Sequence, residues 1–303
     1  MKALVFGSLN IDKVYSMPKL PEKAETLYCD GYEEHIGGKG LNQAVSLRRA
    51  GMDVYMAGCI GSDGKFLVDF LNSSGVNTDY IKVLPGGYTG CAVIEVEPHG
   101  QNQMILYRGA NALIDEAFVD EVLSHFKEGD LLLIQYETSS VPYMINKAKE
   151  KGMITAFNPS PYVEEIRNLP LDKIDILILN EFEAQSLTGK RDIVEICSTL
   201  REKSGGKIVV TLGGEGSVYT DLDLGDKLIN QPAFKVDAVD TTGAGDTFTG
   251  YFLASIQSGK TPQQALTIST SASGLAVTKK GAAETIPDCE EVVNFYEAVS
   301  RKQ

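Results

Sequence analysis

Segment 239–250 has the sequence VDTTGAGDTFTG, in which a turn of small residues is followed by an acidic residue. Gly243, Ala244 and Gly245 allow a tight turn into a helix, so that free backbone amides and the positive end of the helix dipole face one space. This pattern predicts an anion hole. Asp246, in the first turn of that helix, is either an ordinary first-turn acid or a carboxylate that takes a proton from a hydroxyl attacking a phosphoryl group.

A second glycine-rich turn, Gly37–Ala44, has the sequence GGKGLNQA and also runs into a predicted helix. Its glycines, Gly38 among them, let the backbone approach a ligand closely. The Asn42 amide offers both a donor and an acceptor, which suits vicinal hydroxyls. Lys39, taken alone, is more simply interpreted as a solvated surface cation.

Polar side chains also follow two predicted strands. Asn10 and Asp12 come after the first strand of the chain, and Glu137 follows the run Leu131–Gln135. Ligands of α/β sheets bind at the carboxyl ends of the strands. We therefore expect Asp12 and Glu137, together with Asn42, to line a site for a polyol.

The elements that must position these residues alternate between short apolar runs and helical patterns, which is typical of βαβ units. Runs rich in Val, Ile and Leu indicate strands buried on both faces of a parallel sheet. The predicted strands are Ala3–Phe6, Val54–Cys59, Leu131–Gln135, Ile154–Phe157, Ile176–Leu179 and Ile208–Leu212. The predicted helices are Gly40–Ala50, Phe66–Ser74, Asp115–Phe126, Pro142–Lys151, Glu181–Thr188, Asp192–Ser204, Ala244–Ser258 and Pro262–Thr278.

Two stretches, 11–39 and 88–110, interrupt this alternation. The second contains two extended runs, Gly90–Val96 and Gln103–Tyr107, and the Pro, Gly and Asn of the joint at 97–102 favour a hairpin turn. We expect the two stretches to form one small sheet that covers a cleft; two unrelated surface excursions are the alternative. The α/β core would then comprise residues 1–10, 40–87 and 111–303.

Composition excludes several classes of protein. The 303 residues include 28 Lys and Arg against 41 Asp and Glu, a net charge of −13 that argues against nucleic acid or an anionic membrane as the partner. No apolar stretch approaches the roughly 18 residues of a transmembrane helix, and the first residues do not resemble a signal peptide. Five widely spaced cysteines without a C-x-x-C pair fit the reduced thiols of a cytoplasmic protein, and three isolated histidines form no metal-binding motif.

Two common nucleotide-binding motifs are absent. Residues 254–261, ASIQSGKT, nearly match the P-loop, but they begin with Ala254 and follow a predicted helix instead of a strand. A helix-ending Gly259 and a capping box from Thr261 to Gln264 explain the same residues locally. The first strand ends in FGSLN and lacks the glycine pattern of dinucleotide-binding folds.

Six motifs in order along nearly the whole chain resemble the phosphofructokinase-B (PfkB) family of carbohydrate kinases, and most of all its ribose-phosphorylating members. Each motif alone is moderately specific, but six in the same order are hard to produce by chance. They are the opening GSLNID at 7–12, GGKGLNQA at 37–44, GAN at 109–111, NEFE at 180–183, TLGGEG at 211–216 and DTTGAGD at 240–246.

The resemblance implies an ATP-dependent sugar kinase that phosphorylates a primary hydroxyl, in the first place that of D-ribose. Asp246 would be the general base, and Gly243, Ala244 and Gly245 would supply the anion hole. The implied sugar-binding residues are Asn10, Asp12, Gly38, Lys39, Asn42, Glu137 and Asp246. The implied ATP-binding residues are Asn180, Thr211, Gly213, Gly214, Gly216 and Gly245. Asn180 and Glu183 would organise Mg²⁺, largely through water.

The resemblance also implies a fold and an assembly. The fold would be a doubly wound, mostly parallel α/β sheet flanked by helices, with a small β-sheet lid that forms the contact of a homodimer. A K⁺ site would lie beside the anion hole, formed largely by backbone carbonyls. Its matching positions are Asp240, Thr242, Ala276, Lys279, Gly281 and Thr285.

The substrate is less well specified than the reaction. Tyr107 and Arg108 precede the GAN turn, where kinases of acidic sugars place Tyr and Arg to bind a carboxylate. A solvent-facing lid arginine is the simpler interpretation. The alternatives are therefore 2-keto-3-deoxygluconate, fructose, deoxyribose or a nucleoside, or a non-catalytic sugar-binding regulator, against which the retained Asp246 argues.

Overall fold

A computed structural model describes residues 1–98 and 101–301. Within these residues the strands are β1 (Ala3–Phe6), β2 (Asn10–Ser16), β3 (Gly31–Gly37), β4 (Val54–Gly61), β5 (Asn77–Leu84), β6 (Gly90–Val96), β7 (Asn102–Tyr107), β8 (Leu131–Gln135), β9 (Ile154–Asn158), β10 (Ile176–Asn180), β11 (Lys207–Thr211), β12 (Ser217–Thr220) and β13 (Ile229–Gln231). The α-helices are α1 (Lys39–Arg49), α2 (Lys65–Ser73), α3 (Glu116–Leu123), α4 (Val141–Glu150), α5 (Glu181–Thr188), α6 (Ile193–Ser204), α7 (Ala244–Gln257), α8 (Pro262–Ala276) and α9 (Cys289–Ser300).

The large sheet has the strand order β13-β12-β11-β10-β9-β8-β1-β4-β5. Its strands run parallel from β11 to β5, whereas β12 and β13 are antiparallel additions at one edge. The chain extends from β1 to β4 and β5 on one side and later fills the other side with β8 to β11. The order therefore reverses beside β1, and the crevice at the carboxyl ends of β1 and β8 is the expected place for a ligand.

The buried strands form because both faces of the sheet are covered. All four residues of β1 are fully buried, and they alternate between the two hydrophobic clusters of the core. Leu4 and Phe6 pack in the cluster on one face, and Ala3 and Val5 pack in the cluster on the other. This double burial confirms the parallel α/β sheet predicted from the compact apolar runs.

Four elements of the core were not predicted. The edge strand β5 has the sequence NTDYIKVL and no fully buried residue, so it lacks a compact apolar run. The antiparallel strands β12 and β13 are only four and three residues long. Helix α9 buries a single residue, Val292, and its apolar pattern is correspondingly weak.

The second sheet combines strands from both of the stretches that interrupt the alternation. Its order is β3-β2-β6-β7, with β2 antiparallel to β3 and parallel to β6, and with β6 antiparallel to β7. The small sheet expected from these stretches is thus present. Two residues of the predicted hairpin turn, His99 and Gly100, lie outside the described residues.

Helices α1 and α7 cross closely because a glycine lies at their contact. A Cβ atom at Gly250 would overlap the side chain of Ser46. The crossing brings the amino-terminal turns of both helices to the same end of the sheet. In the described chain, none of the helices combines the length and apolar character needed to cross a membrane.

Candidate functional site

The turn before α1 closes against the ends of β1 and β8. The Ser8 hydroxyl donates to Glu137 Oε2, and the backbone amide of Lys39 donates to the same oxygen at 3.2 Å. Gly40 N in turn donates to Ser8 Oγ at 3.2 Å. Gly38 has a φ of 98°, which favours glycine, and a side chain there would collide with the backbone of residues 8–10. Three separate segments of the sequence are therefore joined at one point.

Asn10 is held where the small sheet meets the core. Its Oδ1 accepts a hydrogen bond of 2.8 Å from Asn111 Nδ2, and Asn111 Oδ1 accepts from the Leu9 amide at 3.1 Å. Gly90 lies so close that a Cβ atom there would overlap both asparagine side chains. Asn111 was part of the GAN motif but not a predicted site residue, and its role here is to hold Asn10 in place.

Asp246 is buried at the start of α7, with 6% of its surface exposed. Asn42 Nδ2 donates to Asp246 Oδ2 at 2.9 Å, and Gln43 Nε2 donates to Oδ1 at 2.8 Å. Sequence reasoning missed Gln43; the signal that could have found it is a lone amide on a helix face of otherwise small and apolar residues. Asn42 Oδ1 is buried and has no partner within the described residues, so it is free to accept a hydrogen bond from a ligand.

Asp12 belongs to a group of acids at the edge of the site. Burial raises the pKa of Asp12 to about 7, and the carboxylates of Glu137, Glu284 and Asp246 contribute to the rise. His35 partly opposes these acids. Near neutral pH this carboxyl is therefore present in both protonation states.

Lys39 is the cation within this acidic group. Burial alone would lower the pKa of its ammonium, but the carboxylates of Asp246, Glu137 and Glu183 outweigh burial and raise it. Burial also raises the pKa of Glu137, although Lys39 and Ser8 favour its charged form. Lys39 is thus a half-buried, charged member of the site. Its interpretation as a solvated surface cation is wrong, because that interpretation used only neighbouring residues in the sequence.

A cavity of about 430 Å³ lies on the other side of the α7 turn. It is lined by five of the six residues predicted to bind the nucleotide, namely Thr211, Gly213, Gly214, Gly216 and Gly245, and also by Ala244 of the predicted anion hole. Side chains at Gly213 and Gly214 would meet only open space, so the backbone there is accessible to a ligand. The cavity is also lined by residues 233–236 and 238 and by Thr270, Ser273, Gly274 and Val277, none of which was among the predicted site residues.

The turn predicted as an anion hole separates Asp246 from this cavity. Gly243 adopts a left-handed φ of 72°, which starts the helix at Ala244. The Ala244 amide donates to Thr241 O at 3.2 Å, so the structure corrects the expectation that three free amides form the hole. The amides of Gly243 and Gly245 make no hydrogen bond to the described residues.

Asn180 and Glu183 form a capping box at the start of α5. Asn180 Oδ1 accepts from the Glu183 amide at 2.8 Å, and Glu183 Oε2 accepts from the Asn180 amide at 2.9 Å. Asn180 is exposed beside the cavity, because it pairs in register with Thr211. Glu183 Oε1 makes no hydrogen bond to the described chain, so one carboxylate oxygen is left for another partner.

Residues predicted to hold a monovalent cation lie on two adjoining segments, the loop before α7 and the stretch that runs from the last residue of α8 to Thr285. Asp240 ties these segments together, because its Oδ1 accepts from Thr242 N and Oγ1 at 2.9 and 2.7 Å and its Oδ2 accepts from Gly281 N at 3.0 Å. The second segment also packs on the anion-hole turn, where a Cβ at Gly243 would lie 3.3 Å from Ala282. The two segments and the predicted anion-hole turn are therefore packed together.

The other predicted cation ligands are already engaged in local contacts. Thr285 Oγ1 donates to Gly281 O at 3.2 Å and to Ala282 O at 2.9 Å. Ala276 O accepts from the Lys279 amide at 3.1 Å, and the Lys279 ammonium pairs with Glu291 at 3.2 Å. The positions thus offer carbonyl oxygens, each with a second lone pair, and not charged side chains.

Arg108 lies at the junction between the small sheet and the core. It is exposed, and its guanidinium donates to the Tyr136 carbonyl oxygen at 3.2 Å. This contact agrees with the simpler interpretation of Arg108 as a surface arginine of the small sheet.

Comparison with known proteins gives a consistent result. The model of the pfkB family of carbohydrate kinases matches residues 1–289. The ribokinase of Haemophilus influenzae is 35% identical over 302 residues, covering 97% of each chain. The structure of Arabidopsis thaliana ribokinase complexed with ribose and ATP is 30% identical, has a TM-score of 0.82 and covers 97% of this chain and 98% of that one. The ribokinase of Cryptococcus neoformans in complex with ADP is 33% identical, with a TM-score of 0.84 over 97% of this chain and 99% of that one.

Proposed function

The chain belongs to the pfkB family of carbohydrate kinases, and we propose that it transfers the γ-phosphoryl group of ATP to the primary hydroxyl of D-ribose, giving ribose 5-phosphate. The observation that carries this proposal is the position of Asp246. Its buried carboxylate lies between a polar site suited to a polyol and a cavity suited to a nucleotide, next to a turn with free amides.

The sugar would bind among groups that match its hydroxyls. The carboxylates of Asp12 and Glu137 can accept hydrogen bonds from hydroxyl groups, and Asn42 Oδ1 is an acceptor without a partner in the described structure. Asn10 and Gly38 would form the remaining walls, since both are fixed beside the same crevice. The Lys39 ammonium keeps the site from being purely negative, which favours approach of the anionic phosphoryl donor.

Asp246 would take the proton of the primary hydroxyl as that oxygen attacks the γ-phosphorus. Both carboxylate oxygens already accept one hydrogen bond, so the acid is fixed in orientation before the sugar arrives. The free amides of Gly243 and Gly245, at the positive end of α7, would stabilise charge on the transferring phosphoryl group. The bond to the ADP oxygen breaks as the new phosphate ester forms.

ATP would occupy the cavity of about 430 Å³, a size typical of small-molecule sites. Its phosphates would extend toward Gly245, and its base toward the wall that includes Thr270 and Val277. Thr270 Oγ1 is buried and unpartnered in the described residues, which leaves a hydroxyl available to the nucleotide.

Mg²⁺ would be held by Asn180 and Glu183, largely through water, as the resemblance implied. Within residues 1–98 and 101–301, no group of three or more His, Cys, Asp or Glu residues could hold a metal ion. The one carboxylate oxygen left by the capping box fits a contact through water, with the phosphates of ATP supplying direct ligands. When bound, the ion would neutralise charge on those phosphates.

K⁺ would fit between the two segments joined by Asp240, and its role would be structural. The carbonyl-rich surroundings suit a monovalent cation, and a cation there would stiffen the segment that packs on Gly243. A fixed anion hole needs less reorganisation as charge develops in the transition state. K⁺ is therefore expected to raise turnover without contacting the sugar.

The small sheet is proposed to act both as a lid over the sugar and as the contact of a homodimer. Its edge strand β7 exposes every residue, including the apolar Met104, Ile105, Leu106 and Tyr107. An exposed apolar edge strand is a template for pairing with another chain unless it is covered. A second copy of the sheet would cover it.

We place the reaction in the cytoplasm, where ATP is available and the five free cysteines would stay reduced.

A coupled assay of ADP release with a panel of acceptors tests this proposal. The panel contains ribose, 2-deoxyribose, fructose, 2-keto-3-deoxygluconate and nucleosides, with an ATP-only sample as the control for hydrolysis. We expect the highest kcat/KM with ribose. A clear preference for another acceptor would reject ribose as the substrate, and no release with any acceptor would favour a non-catalytic sugar-binding protein.

A further inference from the structure

We propose that Gln43 is a positioning residue that holds the general base through a buried chain of side-chain amides; this rests on the role proposed above for Asp246. Gln43 has 0% of its surface exposed, and its polar atoms are all bonded to protein, so none is left for ribose or ATP. Its Nε2 donates to Asp246 Oδ1 at 2.8 Å and to Asn158 Oδ1 at 3.0 Å. Its Oε1 accepts from Gln135 Nε2 at 2.6 Å. Every polar atom of this amide is used, which fixes its orientation.

The chain of amides ends on the rigid sheet. Gln135 is the last residue of β8 and Asn158 the last residue of β9, and the two pair in register. Asn158 Nδ2 donates to the carbonyl oxygen of Ile178 in β10 at 2.9 Å. Three neighbouring parallel strands therefore support Gln43. Because a buried amide that loses its partner bears a desolvation penalty, displacing one of these side chains is costly for its neighbour in the chain.

Two consecutive residues of α1 each donate a hydrogen bond to one oxygen of the Asp246 carboxylate. Asn42 Nδ2 donates to Oδ2 of Asp246, and its own Oδ1 has no partner within the described residues, whereas Gln43 Nε2 donates to Oδ1 of Asp246. Each carboxylate oxygen retains further lone pairs, so the plane of the carboxylate is fixed without blocking proton transfer. Without Gln43, the carboxylate could rotate away from the hydroxyl that it must deprotonate.

The test compares Gln43→Leu with a matched control on the same helix. The substitution removes both donors at similar size, and we expect kcat to fall about 10- to 100-fold, while the KM values for ribose and ATP change less than about threefold, because only the placement of the base is lost. The control is Ser46→Ala. Ser46 is also fully buried and donates to Thr247 O at 2.8 Å, but it makes no hydrogen bond to Asp246. It should lower the melting temperature and leave kcat within about twofold.

A double-mutant cycle separates positioning from general stability. In an Asp246→Ala background, Gln43→Leu should reduce the residual kcat less than about threefold, since it acts through a base that is no longer there. An undiminished penalty in that background would overturn the proposal. Near-wild-type turnover of Asp246→Ala alone would instead refute the proposed function of the base.

A second variant covers the case in which Gln43→Leu does not fold. Gln135→Leu removes the donor to Gln43 Oε1 and leaves both bonds of the Asp246 carboxylate in place. We expect a loss of kcat of about three- to tenfold that also disappears in the Asp246→Ala background. An unchanged kcat for Gln135→Leu would contradict the amide chain.

Discussion

Asp12 leads to a prediction about the pH dependence of ribose binding. Its pKa is raised to about 7, chiefly by burial, from the ordinary value of 3.8. The charged carboxylate is the better acceptor for sugar hydroxyls. Ribose should therefore bind preferentially to the deprotonated form and release a proton on binding.

The size of the effect follows from this pKa. The carboxylate fraction of Asp12 is about one in eleven at pH 6 and about ten in eleven at pH 8. Apparent affinity is proportional to the fraction of the protein in the binding-competent state. Ribose affinity should therefore rise about tenfold from pH 6 to pH 8, with about half a proton released per sugar at pH 7.

Isothermal titration calorimetry of ribose at pH 6, 7 and 8 measures both quantities. Each titration is made in two buffers of different ionisation enthalpy, so that released protons contribute to the observed heat. Asp12→Asn should bind more weakly and lose the pH dependence. Glu284→Gln, which removes one of the acids that raise the Asp12 pKa, should move the rise in affinity to lower pH.

The pH dependence of folding stability has the opposite sign to the pH dependence of ribose affinity. Between about pH 4 and pH 7, Asp12 of the sugar-free protein keeps its proton in the folded state but has lost it in the unfolded chain. Asp12 should therefore make the protein less stable as pH rises from about 4 to about 7, and Asp12→Asn should weaken this trend in thermal melts. Affinity that stays within about twofold from pH 6 to pH 8, without buffer dependence, would refute the reasoning about Asp12.

Three further predictions concern the cation, the dimer and the lid. Titration of KCl into potassium-free buffer, with an organic cation holding ionic strength constant, should raise kcat, and Na⁺ should substitute poorly; a flat response would remove the cation site. Ile105→Glu should convert a dimer to a monomer in light scattering, whereas Gln103→Glu on the same strand should not; an unchanged mass for Ile105→Glu would exclude β7 from the dimer contact. Ribose should slow hydrogen exchange in both 11–39 and 88–110, and a response in only one of these stretches would contradict a shared lid.

The sequence predicted the inner part of the fold better than its edges. Strands such as β1 are buried on both faces, and this burial leaves a compact apolar run that can be recognised without a structure. The edge strand β5 has solvent on one side and carries Asp79 and Lys82 within the strand. It therefore has no compact apolar run by which it could be recognised. The short pair β12 and β13 depends on pairing with β11, which is a tertiary contact.

The candidate site was predictable wherever the backbone itself demands a residue type. Gly38 and Gly243 have positive φ angles, so glycine marks both of the proposed ligand-binding turns in the sequence. The charge environment of Lys39 was not predictable, because acids from distant segments converge on it only after folding. Gln43 was missed for a similar reason, since its partners Gln135 and Asn158 lie 92 and 115 residues away in the sequence.

The most direct test of the account is the turnover of Asp246→Asn with ribose and ATP beside the wild-type chain, with the product identified as ribose 5-phosphate. If Asp246 is the general base, kcat should fall about 10²- to 10⁴-fold. ADP and ribose should still bind, as measured by calorimetry, because the proposed nucleotide cavity and the other side chains proposed to bind the sugar remain. Turnover within about twofold of the wild type would contradict the account, since a carboxamide cannot accept the proton of the attacking hydroxyl.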